Sequence, residues 1–339
     1  MRQAVTIAGA GLAGLVAANV LVGAGVPVEV FERKSRLLPS SGAHTEGVRN
    51  YRSTDVLDEL RSYAFRIAPT STVLRTIRHS PHFHNVLHGP AHYLFMRGHE
   101  PETVDQILYR RAVDGGARFH FGEAIDPEEA DIAACGPPRE TFNILGAGYT
   151  FSSEGSPLDL ETAYALFDND VAPGGYLVVT PGVPFHSIYS VSWNELDFER
   201  LLARTEKAFD LPWIREILGT SRWVGKIHGR AFFQRDPITQ AEKNGTRYVG
   251  EAGGFQDAVA GFGFRYAVIT GSLAAKSILE GRDYTDLLRQ AFGREFMDAY
   301  AFREKLKLAS NGDYDKMVAS LGPEITLDEY MKRREARGF

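Results

Sequence analysis

The sequence predicts an α/β fold, and three of its features carry this prediction. An apolar run at the N terminus leads into a glycine-rich turn and then into a helix-compatible stretch. A second glycine-rich segment near residue 250 precedes another long helix-compatible stretch. Between the two lie short aromatic-rich segments of the kind that form sheets. We therefore expect an α/β domain interleaved with an antiparallel-sheet domain, followed by a C-terminal helical tail.

The first feature is a complete βαβ unit. Residues 4–8 form an apolar run typical of a buried parallel strand, and the hexapeptide GAGLAG follows at residues 9–14. Residues 15–22 fit a helix, and residues 26–31 fit a second strand that ends at Glu32. Strand, glycine turn, helix, strand and acid are the parts of a Rossmann-type dinucleotide site.

Each part of this motif has a physical role. Gly9 permits the tight turn, Gly11 lets the backbone approach a pyrophosphate, and Gly14 lets the helix pack closely. The amides at the helix N terminus face the phosphates. Glu32 accepts hydrogen bonds from the adenosine ribose and would repel the 2′-phosphate of NADP. Arg33 beside it is a further candidate contact. The motif alone does not separate FAD from NAD.

The second feature lies in residues 247–279. Gly250-Glu251 ends a strand, Gly261-Phe262-Gly263 forms a loop, and a helix-compatible stretch follows. This order resembles the group 2 flavoproteins, which carry a GD…GxG pattern before their last long helix and include aromatic hydroxylases, halogenases and geranylgeranyl reductases. The resemblance implies that Glu251, standing for Asp, bonds the ribityl chain of FAD. It also implies that the amides around Gly263 face the flavin pyrimidine edge.

The resemblance covers most of residues 1–285 in order. Arg97-Gly98, before the helix-compatible residues 103–112, resembles an arginine that precedes a helix in this superfamily, which implies that Arg97 sits against FAD. The predicted domains are a FAD-binding domain at 1–70, 97–150 and 240–283, a substrate domain at 71–96 and 151–239, and a C-terminal helical segment at 284–339.

Further details resemble the geranylgeranyl reductase branch. PGGYLVVTP at residues 173–181 is similar to a strand of that branch, and residues 45–48 resemble the segment after its near-flavin cysteine. His44 occupies the place of that cysteine and is a candidate proton donor, with a backbone-bonded loop histidine as the alternative. Asp257, about where relatives carry proline, is a second catalytic candidate. Cys135-Gly136 replaces the Asp-Gly pair that hydroxylases use with NADPH, which weakens the case for direct NADPH use.

Two residue clusters remain. The histidine-rich segment 79–99 suggests a hairpin with its turn at Gly89-Pro90. It meets no zinc-ligand spacing, so we predict no metal and interpret its histidines as edge-strand residues.

Several aromatic side chains of the predicted substrate domain fit an apolar cavity or ordinary sheet core, namely Phe167, Tyr176, Phe185, Tyr189, Trp193, Trp223, Phe232 and Phe233.

The composition and charge of the chain argue against some classes of function. The 339 residues carry a net charge of −5 with no basic run, which argues against a nucleic-acid partner. The single cysteine cannot form an internal disulfide, which favours a cytoplasmic location. Residues 3–28 lack charge, but their glycines fit a turn and a packed helix, so we expect no integral membrane segment. Peripheral contact with a membrane surface stays an open alternative.

We therefore expect a FAD-dependent oxidoreductase that acts on an apolar, isoprenoid-like or aromatic small molecule by C=C reduction or desaturation. The electron donor is left open between NAD(P)H and a redox protein. One alternative is a flavin-dependent monooxygenase, that is, a hydroxylase, epoxidase or halogenase; the absence of a WxWxIP motif counts against a halogenase. The others are a non-redox cyclase or isomerase that binds FAD, and an NAD dehydrogenase without flavin.

Overall fold

Two sheets organise the computed structural model, which describes residues 4–37, 44–137 and 141–336. The strands of the described residues are β1 (Val5–Ala8), β2 (Val28–Glu32), β3 (His44–Arg49), β4 (Ser71–His79), β5 (His84–Arg97), β6 (Arg118–Phe121), β7 (Ile132–Ala133), β8 (Ile144–Ser152), β9 (Thr162–Leu166), β10 (Tyr176–Thr180), β11 (Phe185–Ser192), β12 (Trp223–Ala231), β13 (Glu242–Lys243), β14 (Thr246–Tyr248) and β15 (Glu324–Thr326). The α-helices of the same residues are α1 (Leu12–Gly23), α2 (Val56–Ser62), α3 (Val104–Asp114), α4 (Phe198–Lys207), α5 (Pro212–Leu218), α6 (Phe264–Glu280), α7 (Tyr284–Phe292), α8 (Glu295–Lys307), α9 (Asn311–Ala319) and α10 (Leu327–Ala336).

The first sheet is parallel except at one edge. Its order is β13-β14-β7-β1-β2-β6, and only β13 runs antiparallel to its neighbour among the described strands. Val5, Ile7, Val28 and Val30 are buried in it, as expected for strands covered on both faces. Helices α1 and α6 pack directly on each other, because Gly271 has no side chain to strike the Ala13 carbonyl oxygen. The two glycine-rich segments therefore meet in space.

The second sheet is mostly antiparallel. Its order is β12-β8-β11-β10-β9-β4-β5-β15, and β3 also pairs with β5. The β4–β9 and β5–β15 pairs are parallel. Strands β3 and most of β8 lie inside the ranges that the sequence assigned to the FAD-binding domain, yet they hydrogen-bond into this sheet. The α/β fold with an interleaved antiparallel sheet is confirmed, while the domain boundaries stay a prediction.

The histidine-rich segment is a hairpin, but the predicted turn at Gly89-Pro90 is wrong. The turn lies between β4 and β5, where the Ser80 amide donates to the Phe83 carbonyl over 2.8 Å. Gly89, with φ of +125°, lies inside β5. There Gly89, Pro90 and Ala91 stand opposite the single residue Leu74, because Val73 pairs with His92 and Arg75 with His88. The glycine and proline therefore form a bulge, another place where these residue types are tolerated in a strand.

The C-terminal segment is helical, with one short strand. Helices α7 and α8 join the main core through Phe292 and Phe296, which pack on Phe255 and Tyr266. Strand β15 then adds to the edge of the second sheet beside β5. Within the described residues, no helix combines the length and the apolar character that crossing a bilayer requires.

Candidate functional site

The first glycine turn has the geometry of an anion cradle. Gly9 has φ of +106°, and a Cβ there would lie 2.5 Å from the Ala134 carbonyl oxygen. A Cβ on Gly14 would strike the Gly9 carbonyl oxygen, so this glycine is required for packing. At Gly11 the nearest atom would be 3.7 Å away, so the protein itself leaves room for a side chain. Helix α1 begins here with no side-chain cap and no acidic residue in its first turn. The space and the free amides fit a bound phosphate.

Glu32 and Cys135 lie beside this turn. The Glu32 carboxylate accepts hydrogen bonds from the Ala10 amide over 2.9 Å and from the Lys34 amide over 3.0 Å. These bonds fix the acid at the rim of the turn, where sequence reasoning expected it. Arg33 is exposed. Cys135 follows β7, next to Gly9, and is also exposed.

Glu251 is a partly buried acid with no hydrogen-bond donor among the described residues. Gly250, with φ of +54°, donates its amide to the Thr270 hydroxyl over 2.9 Å and turns the chain at the end of β14. No described residue donates a side-chain or backbone hydrogen bond to the Glu251 carboxylate. Burial, together with the nearby Glu46 carboxylate, raises the pKa of Glu251 to about 8. A ligand that brings hydroxyl groups to this carboxylate would satisfy it, which fits the ribityl chain of FAD.

The second glycine loop ends at another uncapped helix. Helix α6 starts after Gly263 with no side-chain cap and no acid in its first turn. Gly261 has φ of +74°, and its carbonyl accepts from the Gln256 amide group over 2.9 Å. The Gln256 Oε1 atom is buried without a partner. Phe262 packs against Gly47 of β3, where a Cβ would lie 2.9 Å from its ring. The positive end of α6 therefore opens beside β3.

Arg97 is engaged by two carboxylates. Its Nε and Nη2 atoms donate to Asp105 over 2.7 and 2.6 Å, and its Nη1 atom donates to Glu46. Burial would lower the pKa of Arg97, but Glu46 and Asp105 more than offset this and hold the pKa above its usual value. The structure thus places Arg97 near Glu46 and, through it, near Glu251. A direct contact between Arg97 and FAD stays a prediction.

The two catalytic candidates stand in different surroundings. His44 begins β3 at the surface, opposite Arg97 in the strand register, and residues 38–43 before it lie outside the described part of the chain. Asp257 is 7% exposed. Its Oδ2 atom accepts from Arg49 over 2.6 Å, and its Oδ1 atom accepts from the Val259 amide over 2.8 Å. The bond to Arg49 ties the Phe262 loop to β3, so Asp257 has a loop-holding role that sequence reasoning did not foresee.

A cavity of about 1090 Å³ opens beside this loop. Its walls come from β3, the loop around Phe262, the start of α6 and the C-terminal helices. Of the aromatic residues expected to line a cavity, Phe167 alone does so. Trp193 and Phe233 are buried core residues that follow β11 and β12, and Trp223 is exposed at the start of β12.

The cavity walls include residues whose partners the sequence did not indicate. Arg265 on α6 donates to Glu59 over 2.6 Å and to Glu295 over 2.8 Å, which ties α2, α6 and α8 together. Arg49 and Tyr51 extend from β3 and from the residues just after it. Their spacing in the sequence was the one signal that they line the same cavity, because residues two apart on a strand lie on the same face.

The described residues contain no group of three or more histidine, cysteine, aspartate or glutamate side chains that could hold a metal ion. The histidines of the hairpin have individual environments instead. His79 stacks on Trp213 with ring centres 4.3 Å apart, and His92 stacks on Phe262 at 5.7 Å.

Comparison with known proteins gives a family model for the N-terminal part of the chain and a fold for the whole. The family described as FAD binding domain matches residues 2–135. No curated protein sequence matches the chain significantly. A geranylgeranyl bacteriochlorophyll reductase-like structure from Thermoplasma acidophilum is similar with a TM-score of 0.73 and 18% identity, covering 93% of this chain and 90% of that one. The flavin-dependent brominase Bmp2 gives a TM-score of 0.64 at 14% identity, covering 97% and 92%. A variant of 2-methyl-3-hydroxypyridine-5-carboxylic acid oxygenase gives 0.52 at 15% identity, covering 91% and 93%. At these identities the structures establish the fold.

Proposed function

We propose that this protein, a FAD-dependent enzyme of the group 2 flavoprotein oxidoreductases, reduces or desaturates a carbon–carbon bond of an unsaturated small molecule held in the cavity beside the Phe262 loop. The observation that carries the proposal is the position of this cavity. It opens at the same loop whose helix, α6, has a free positive N terminus for the flavin ring. When bound, FAD supplies the hydride chemistry.

The residues that would hold FAD divide among its parts. Gly9, Gly11 and Gly14 leave room and amides for the diphosphate, and Glu32 and Arg33 stand at the adenosine end. Glu251 would accept from the ribityl hydroxyls, and its neighbour Gly250 turns the chain toward them. The residues proposed to contact the ring end are Arg97, Gly261, Phe262 and Gly263.

His44 is the proposed proton donor, since a histidine can hold a transferable proton near neutral pH. It begins the strand that also carries Gly47, against which Phe262 packs. Asp257 is the weaker candidate, because Arg49 and backbone amides already bind its carboxylate. Its proposed role is to hold the flavin loop in place.

The aromatic walls of the cavity support a substrate with an apolar body. Phe167, Phe262 and Phe292 line it, and their rings would exclude water from a bound hydrocarbon. The likeness to the reductase-like structure, at a TM-score of 0.73, favours C=C chemistry. The brominase and oxygenase likenesses keep a monooxygenase as the second candidate.

The test uses the FAD-loaded protein under anaerobic conditions. It is reduced in turn with NADH, NADPH, dithionite and ferredoxin, and then mixed with unsaturated isoprenoid acids and alcohols or with aromatic acids. Reoxidation of the flavin without oxygen, with a saturated product, supports the proposal. A product that forms only with oxygen and gains an oxygen atom selects the monooxygenase, and conversion without net electron transfer selects a cyclase or isomerase. His44→Gln should slow substrate-dependent reoxidation and leave reduction by dithionite unchanged.

A further inference from the structure

Arg78 on β4 is a buried cation that has no counter-ion in the described part of the chain. The residue is 8% exposed and lines the cavity beside the Phe262 loop. Its Nε atom donates to the Asn85 side-chain oxygen over 2.8 Å, and this is its one hydrogen bond among the described residues. Its Nη2 atom is buried without a partner, and no described carboxylate lies within ion-pair distance.

Comparison with the other buried arginines shows what is unusual about Arg78. Arg97 and Arg265 are each held by two carboxylates. Arg303, which is 2% exposed, has no carboxylate partner among the described residues either, and burial lowers its pKa to about 10. A guanidinium taken out of water without an anion lowers the stability of the folded state. Arg303 stacks on Trp193 and donates to the Gly174 carbonyl, whereas Arg78 lines the cavity, which indicates that an anion belongs beside Arg78 when the protein works.

Within the described residues, the surroundings of Arg78 contain another unpartnered donor and no carboxylate paired with its charge. The Asn85 side-chain NH₂ group is buried without an acceptor. Burial, with the Arg49 and Arg78 charges, lowers the pKa of His92 to about 3, so this neighbour stays neutral. The Tyr330 ring lies 5.0 Å from the Arg78 guanidinium and walls it on one side. Over the whole cavity, the described lining residues include eight lysines and arginines against four aspartates and glutamates.

We propose that Arg78, held in place by Asn85, forms an anion subsite that binds a carboxylate or phosphate group of the substrate, while the apolar body of the same molecule extends toward the Phe262 loop. The rings along this wall support the direction, since Tyr51 lies 5.4 Å from His92 and His92 lies 5.7 Å from Phe262. The inference rests on the proposed function in that it names the substrate class of the same cavity. It makes that substrate amphipathic, with a charged end and an unsaturated apolar body.

The test measures binding and does not depend on turnover. FAD-loaded protein is titrated calorimetrically with octanoate, octyl phosphate and 1-octanol, which share one chain and differ in the head group. At least one anion should bind about tenfold tighter than the alcohol, a difference of about 1.4 kcal/mol. The carboxylate and phosphate arms show which head group the subsite takes. Equal binding of all three compounds overturns the proposal.

Two variants sharpen the result. Arg78→Gln should lose about tenfold in affinity for the favoured anion and keep its affinity for 1-octanol. Arg75→Gln is the matched control, since Arg75 lies on the same strand but pairs with the exposed Asp159. Anion binding that survives Arg78→Gln overturns the proposal.

Thermal stability gives an independent test of the proposed anion subsite. Removing a cation that lacks a partner should leave the melting temperature of Arg78→Gln equal to or above that of Arg75→Gln. A clearly lower value would show that Arg78 serves the fold and would also overturn the proposal. Failure of the flavin to react with any unsaturated compound, with anion binding intact, would instead refute the proposed reaction alone.

Discussion

Replacing Glu251 by glutamine should stabilise the cofactor-free protein, and more so as the pH rises. Burial and Glu46 raise the pKa of Glu251 from 4.5 to about 8. Between these values the unfolded chain releases a proton that the folded chain keeps, so stability falls as the pH rises through this window. Glutamine has nearly the same shape and no charge to bury. The variant should therefore match the wild type near the lower value and exceed it near the upper one.

The magnitude follows from the size of the shift. One pKa unit corresponds to about 1.36 kcal/mol, so at pH 7.5 the ceiling for Glu251 is about 4 kcal/mol. Relaxation around the buried charge reduces this, and we expect about 2 kcal/mol at pH 7.5 and less than about 0.5 kcal/mol at pH 5. Urea unfolding of both proteins without FAD, at each pH, measures the difference. An equal loss of stability in the variant at both pH values would refute the reasoning.

Three further predictions follow from the site. Gly11→Ala should change the stability of the cofactor-free protein by less than about 1 kcal/mol but weaken FAD binding, whereas Gly14→Ala should lower both stability and FAD affinity. Thermal melts and FAD titrations would measure these effects. If the two variants behaved alike, the roles assigned to these two glycines would be wrong. Asp105→Asn should cost about 3 kcal/mol in chemical unfolding because it leaves Arg97 underpaired, and a cost near zero would mean that the pair is dispensable. Asp257→Asn should lower the melting temperature and the FAD affinity together; a variant that melts normally but turns over slowly would instead make Asp257 a proton donor.

The local elements of the cofactor site were predictable because each has a short-range signature. The apolar run of residues 4–8 became Val5–Ala8, and the helix-compatible stretch after Gly263 became Phe264–Glu280. Glycine spacing marked the positions where a Cβ is excluded, as at Gly9 and Gly14. These features depend on neighbours within a few residues, which a sequence displays directly.

The side-chain partnerships were beyond sequence reasoning because they join distant segments. Arg49 and Asp257 are 208 residues apart in the chain yet meet at 2.6 Å. The cavity owes much of its wall to the C-terminal helices, whose docking depends on the assembled core. The hairpin turn was misplaced for a related reason. Gly89-Pro90 has the composition of a turn, and the partner strand β4 decides that it is a bulge.

The close crossing of α1 and α6 has a consequence for how the protein matures. The helix after the first glycine turn finds its partner only when the stretch near Gly271 has been synthesised. Until then, α1 lacks the helix against which it packs in the folded protein. A fragment that stops before residue 240 would lack β14, Glu251 and α6. We therefore expect FAD to bind late in the maturation of the protein and truncated products to be colourless.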